Sequence, residues 1–179
     1  MKLGILRFTA KLNRIGLWIV VRLPERESLQ LASRSIVMIK GKLNGIDFRT
    51  VLEPDGKGSH WCKIDEQLCN AAGVQAGDAV TLTIQPTDKW LEPAIPQDLN
   101  KTLMAVKGVY DVWKKITPLA RWDWIRWINA TRVPETRKRR IEKACSMLKS
   151  GKRRPCCFNR NLCCEPAVSK NGVLLESEN

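Results

Sequence analysis

The sequence predicts an α+β protein: a small β-barrel, then a bundle of three to four helices, then a cysteine-rich tail. Three observations predict it. Up to residue 85, apolar runs of strand length alternate with turn residues. Beyond Pro86, Pro93 and Pro96 the apolar spacing changes from every second residue to every third and fourth. Past Gly151 the chain becomes rich in Lys, Arg, Pro and Cys. These changes divide the chain into residues 1–92, 93–151 and 152–179, and 179 residues can bury one good core or two small modules that share an interface.

Phe8 to Leu12 and Leu17 to Leu23 read as short strands, the second stopped by Pro24, which lacks a donor. Ile36 to Glu53 carries the clearest signal. Asn44-Gly45 favours a type I′ hairpin turn, because both residues tolerate positive φ. That turn sets Leu43 against Ile46, Gly41 against Phe48, Ile39 against Thr50 and Val37 against Leu52. One face is then buried, and Lys40, Lys42, Asp47 and Arg49 lie on the other. An aromatic ring opposite Gly41 covers a bare stretch of strand backbone. His60 to Ile64 is a strand, Asp65 caps a brief helix over 66–72, and Gly73 ends it. Gly77-Asp78 turns into a strand over 79–85, where Val80, Leu82 and Ile84 alternate with Thr81, Thr83 and Gln85. About six strands and one small helix in this length suggest a closed or partly closed barrel.

The three prolines form a linker. After it Leu99, Leu103, Val106, Tyr110 and Trp113 recur at helical spacing, interrupted at Gly108. Thr117-Pro118 is a helix start, with the hydroxyl as cap and Pro at the first helical position. Leu119, Trp122, Ile125 and Ile128 form the stripe of that helix, widened by Trp124 and Trp127. Pro134-Glu135 opens a last helix ending near Gly151, with Ile141, Ala144, Cys145 and Leu148 as its apolar face.

Hydrophobic residues make up 44% and charged ones 27%, which excludes a disordered or collagen-like chain. The net charge is +13 and unevenly distributed: residues 132–154 hold ten basic and two acidic side chains, +8 of the total. Such a concentration implies an anionic partner, whether nucleic acid, an acidic protein or a membrane surface. The apolar run Ile15 to Val21 follows Lys2, Arg7, Lys11 and Arg14, but it is seven residues long and lacks a small-x-small cleavage site, so it does not read as an export signal. No run reaches the ~20 apolar residues of a membrane span. An odd number of cysteines, seven, with four crowded into the tail, argues against a secreted disulfide framework and for reduced thiols in the cytoplasm.

Trp127-Ile128 with Pro134-Glu135-Thr136-Arg137 and Arg139-Arg140-Ile141, together with Ile95-Pro96-Gln97-Asp98-Leu99, resembles the signature of the YdeI/OmpD-associated, or bacteriocin-protection, family. Phe8-x-Ala10-x-Leu12, the Trp18 to Pro24 strand, Lys40-Gly41-x-Leu43-Asn44-Gly45 and Ala72-Gly73-x-x-x-Gly77-Asp78 are similar to the small barrel of unknown function often fused to it. The resemblance covers roughly residues 5–151 and leaves out the tail. It implies a double-split barrel related to AbrB-type swapped hairpins, and an association with bacteriocin protection or stress resistance. It implies no reaction and no catalytic residues.

The basic segment is the leading candidate site: Arg137, Lys138, Arg139, Arg140 and Lys143 on the last helix, then Lys152, Arg153 and Arg154. Arg137, Arg140 and Lys143 recur every third residue, which suggests one shared cationic face for phosphate contacts. The competing reading is a solvated face paired with Glu135 and Glu142, with Arg137 or Arg140 docking on the barrel. Trp113, Trp122, Trp124 and Trp127 suggest base stacking or, more simply, a core. Cys156, Cys157, Cys163 and Cys164 form a CC-x5-CC array that fits redox chemistry or free thiols better than zinc, whose paired ligands stand two to four residues apart. His60 and Cys62 lack an orienting third group for nucleophilic catalysis. Gly56-Lys57-Gly58-Ser59 resembles a phosphate cradle without P-loop spacing and fits a plain hairpin turn. These readings point to a non-enzymatic protein without a cofactor. The alternatives are an enzyme or ligand carrier with a pocket between barrel and helices, and a metal- or redox-responsive tail.

Overall fold

The computed structural model describes residues 4–177. The chain divides into two compact units: residues 1–89 with 160–163 and 167–179, and residues 90–159 with 164–166.

In the first unit six antiparallel strands close a barrel: β1 (Leu6–Ile15), β2 (Trp18–Arg22), β3 (Val37–Leu43), β4 (Ile46–Pro54), β5 (His60–Ile64) and β6 (Ala79–Pro86), in the order β1-β2-β5-β4-β3-β6. Pairing of β1 with β6, from Leu6↔Ile84 to Lys11↔Ala79, joins the ends. The hairpin β3–β4 has the expected register, including Gly41↔Phe48 and Val37↔Leu52. Asn44 and Gly45 take φ of 46° and 88°, and the Asn44 carboxamide also accepts a hydrogen bond from the Thr81 amide. Alternation sends Leu12, Val21, Ile39, Leu43, Leu52, Cys62, Val80, Leu82 and Ile84 into the interior.

Three details of this unit differ from expectation. The first strand is longer, and Leu17, placed in the second strand by its apolarity, stands 94% exposed in the turn with Gly16. A four-residue helix, α1 (Glu25–Ser28), follows Pro24 and is too short for periodicity to reveal. The second helix, α2 (Glu66–Ala72), has the expected Asp65 cap, whose carboxylate accepts from the Leu68 amide, and Gly73 ends it with φ of 64°.

Part of the tail belongs to this unit. Strands β7 (Ser169–Lys170) and β8 (Val173–Leu174) form a second hairpin about Asn171-Gly172. Cys163, Val168 and Leu174 pack with Ile15, Val20 and Trp61 in a small apolar cluster. The Leu174 amide donates to Asp55, Arg22 donates to the Leu175 carbonyl, and Lys57 pairs with Glu176 at 2.8 Å.

The second unit holds α3 (Gln97–Ala105), α4 (Val109–Lys115), α5 (Pro118–Asn129) and α6 (Pro134–Lys149). Gly108, with φ of 80°, separates α3 from α4. Thr117 caps α5 through the Ala120 amide, with Pro118 at the first helical position. Leu99, Leu103, Val109, Trp113, Trp124, Ile128, Ala144 and Leu148 fill the core. Helix α5 departs from the expected single stripe. It is buried on almost all sides, Trp124 is fully enclosed, and Arg121, Asp123 and Arg126 are buried as well. Arg121 explains its own burial. It forks onto Glu92 at 2.8 and 2.6 Å and donates to the carbonyls of Trp113, at 2.9 Å, and Ile116, at 2.6 Å, satisfying the open C-terminal end of α4.

Candidate anion-binding surface

Helix α6 sorts its basic residues into two groups. A residue advances about 100° around an α-helix, so a three-residue step falls about 60° short of a full turn. The row Arg137, Arg140, Lys143 therefore drifts across the helix instead of sharing one face. It starts on the side of Ile141, Ala144, Cys145 and Leu148, which are buried, and ends in solvent.

Arg137 is bonded within the helical unit. Its Nε and Nη2 donate to the two carboxylate oxygens of Asp98 at 2.6 and 3.0 Å, and Nη1 donates to Asn129 at 2.7 Å. The hydrogen bond from Arg137 holds the Asp98 carboxyl below the ordinary carboxylate range. Arg140 donates to the Trp127 carbonyl at 2.6 Å and lies over the Trp127 ring, 5.5 Å from its centre. Both arginines thus make these contacts within the helical unit. A groove of about 300 Å³ adjoins the ion pair, with Thr102, Pro134, Ile141 and Glu142 among its walls.

The second group faces water. Lys138, Arg139 and Lys143 are exposed on α6, and Lys149, which its place near the helix end hid in the sequence, is exposed with them. Arg139 pairs only at 3.7 Å with Glu135. Lys152, Arg153 and Arg154 are also exposed. Gly151, with φ of 87°, ends the helix, and the Lys152 amide returns to the Met147 carbonyl. Trp124 Nε1 then donates to the Arg153 carbonyl at 3.0 Å, and Arg154 approaches the buried Asp123 at 3.4 Å. The first bond fixes the backbone at Arg153 and the second draws the Arg154 guanidinium towards the helix, while the side chains of Lys152 and Arg153 remain outside.

Both sequence segments that meet at the ion pair lie inside one known family. Residues 92–151 match the OmdA family, described as bacteriocin-protection, YdeI or OmpD-associated, and residues 8–84 match a domain of unknown function, DUF1905. The chain carries an OmdA domain behind a DUF1905 domain. No curated protein matches the chain at a significant level. Asp98 and Arg137 belong to the OmdA domain, as do Lys138, Arg139, Arg140 and Lys143. Lys152, Arg153, Arg154 and all four tail cysteines follow its last matched residue.

The remaining candidates are dispersed. Trp113 and Trp124 are buried in the core of the OmdA domain, Trp122 donates to the Leu91 carbonyl, and Trp127 lies beneath Arg140. Cys156 and Cys157 are exposed, whereas Cys163 and Cys164 are buried. Among the described residues, no three His, Cys, Asp or Glu side chains group as a metal site. His60 is fully buried. Its Nε2 donates to the Ser35 carbonyl at 2.9 Å, and its Nδ1 shares a hydrogen bond of 2.8 Å with the Ser28 hydroxyl. Burial pushes the Cys62 thiol up to about 12, the reverse of an activated nucleophile. In the Gly56 to Ser59 loop, the Asp55 carboxylate already takes the amides of Lys57 and Ser59 at 2.8 and 2.9 Å, amides that a phosphate cradle would need. Among the described residues no helix is long and apolar enough to cross a membrane.

Proposed function

We propose that this is a non-enzymatic cytoplasmic protein, associated with bacteriocin protection or stress resistance, that binds an anionic partner, nucleic acid first. The binding surface in this reading is Lys138, Arg139 and Lys143 on α6 with Lys152, Arg153 and Arg154 beyond it. Arg137 and Arg140 support the helix behind them. The barrel, read as an AbrB-related double-split fold over residues 1–92, acts as a companion module to residues 93–151, and 152–179 form a basic, cysteine-rich extension.

The observation that carries this reading is the exposure of seven cations, Lys149 among them, in the 17 residues 138–154, with only Glu135 and Glu142 on the same side of the helix. Phosphate contacts by such a surface are salt-dependent and largely indifferent to sequence. Titration of the intact chain against a 20-base-pair duplex tests it. For five phosphate contacts, affinity should fall roughly 500-fold between 50 and 200 mM salt. Absence of binding at 50 mM salt would remove nucleic acid and leave an acidic protein as the partner.

A further inference from the structure

Strand β4 has a free edge along part of its length. The tight turn at Asn44-Gly45 makes Leu43 and Ile46 the first hydrogen-bonded pair of the hairpin, so Ile46, Phe48, Thr50 and Leu52 bond to β3. Even-numbered positions on the other arm of the hairpin serve β6 instead: the Asn44 amide donates to the Thr81 carbonyl, and the Met38 carbonyl accepts from the Thr87 amide. Asp47, Arg49 and Val51 therefore direct their N–H and C=O groups away from β3. The neighbour on that side, β5, pairs with β4 only at Glu53↔Trp61 and Pro54↔His60. Val51 is buried, whereas Asp47 and Arg49 are exposed, so the open stretch runs from Asp47 to Arg49. Among the described residues, no backbone group bonds to it from that side.

The charges of this stretch are self-complementary. A second copy of the edge can pair with it antiparallel, about a two-fold axis, only where outward residues meet outward residues. An axis that sets Asp47 against Asp47, or Arg49 against Arg49, opposes like charges. An axis at Phe48 sets Asp47 of each copy against Arg49 of the other. Within one chain these side chains are only partly engaged. Arg49 faces a like charge, Lys40, across β3 and β4, and donates only to the Lys89 carbonyl, at 2.7 Å. Asp47 pairs with Lys42 at 3.2 Å, yet its side chain stays 83% exposed. The carboxylate of a second copy is the counter-ion that Arg49 lacks among the described residues.

We propose that the β4 edge joins two copies of this chain as an antiparallel pair with its two-fold axis at Phe48. Asp47 of each copy exchanges backbone hydrogen bonds with Arg49 of the other, and the two side chains form an ion pair on the same face. Phe48, half-buried on the opposite face of the strand, meets its own copy at the axis, where the close non-hydrogen-bonded position favours aromatic contact. Such an interface is isologous and closes at two subunits. So short an edge buries less than the ~1,200 Å² of a stable complex, which makes the dimer weak and concentration-dependent. No residue of α6 takes part.

Sedimentation equilibrium of the intact chain, at concentrations up to about 1 mM, tests the proposal. The expected result is a reversible equilibrium between monomer and dimer. Asp47→Arg and Arg49→Asp each oppose like charges in both pairs, so each variant should dimerise at least tenfold more weakly than the unaltered chain. Mixing the two variants opposes unlike charges again in both pairs. The mixture should therefore associate at least tenfold more tightly than either variant alone, and circular dichroism checks that both fold. Lys138→Glu, which alters the proposed nucleic-acid surface, should dimerise like the unaltered chain, so the two readings stand or fall separately. An unaltered chain that remains monomeric, single variants that dimerise within twofold of it, or a mixture no more associated than its components would overturn the proposal.

Discussion

Asp98 and Arg137 stand 39 positions apart and form a two-point ion pair between α3 and α6, half open to solvent. Because Arg137 lowers the folded-state pKa of Asp98, the pair contributes fully above the ordinary carboxylate value of 3.8 and is lost as pH falls through the folded value. Asp98→Asn should therefore cost about 1 kcal/mol near neutrality, the upper end for an exposed pair because its geometry is bidentate. That difference from the unaltered chain should become smaller as the pH falls below 3.8, measured by urea unfolding at pH 7 and pH 3. A constant difference would show that Asp98 acts through packing. Both residues stand in segments that the family signature singled out, yet their pairing was not legible. A local spacing rule placed Arg137 with Lys143, and only the fold brings Asp98 beneath it. Arg121 was hidden for a similar reason, since its acceptors are backbone carbonyls at the end of another helix.

Elements whose register is fixed by neighbouring residues were the most legible. The hairpin at Asn44-Gly45 could be paired residue by residue, because a two-residue turn leaves no freedom of register once both residues adopt positive φ. The same dipeptide recurs at Asn171-Gly172, but only two residues pair on each side, too few for alternation to show. What makes that short hairpin possible is a contact far off in sequence. Gly56 has φ of 78°, and a Cβ there would lie 2.2 Å from the Gly172 carbonyl oxygen. Gly56→Ala should thus lift the tail hairpin from the loop between β4 and β5 and break the Leu174 to Asp55 bond. Trypsin should then cleave after the exposed Lys170 at least tenfold faster than in the unaltered chain, with mass spectrometry locating the cut. Gly45→Ala, where no atom lies within 4 Å of the added carbon, strains only its own turn and should leave that cleavage rate unchanged.

Over the whole molecule, a net charge of +13 is a poor guide to where a partner binds, since basic side chains serve two purposes here. Arg121, Arg137 and Arg140 satisfy carbonyls and carboxylates inside the helical unit, using the fixed fork of a guanidinium group. Lys138, Lys143 and Lys152 reach into water on flexible stems and make no ion pair among the described residues. The sequence could locate the basic segment but not divide it, because that division depends on the other helices that α6 packs against. The two groups should separate experimentally. Arg137→Ala and Arg140→Ala should each lower Tm by roughly 2–4 °C for about 1 kcal/mol lost, in a chain of this size. Removing either should leave the salt slope of duplex binding unchanged, since neither guanidinium is available to a phosphate. Lys138→Glu, Lys143→Glu and Lys152→Glu should each leave Tm within about 1 °C, as substitutions at exposed positions do. Each should also reduce the salt slope by about one unit. A reversed pattern, with the arginines setting the slope and the lysines setting Tm, would mean that α6 turns its other side to the partner.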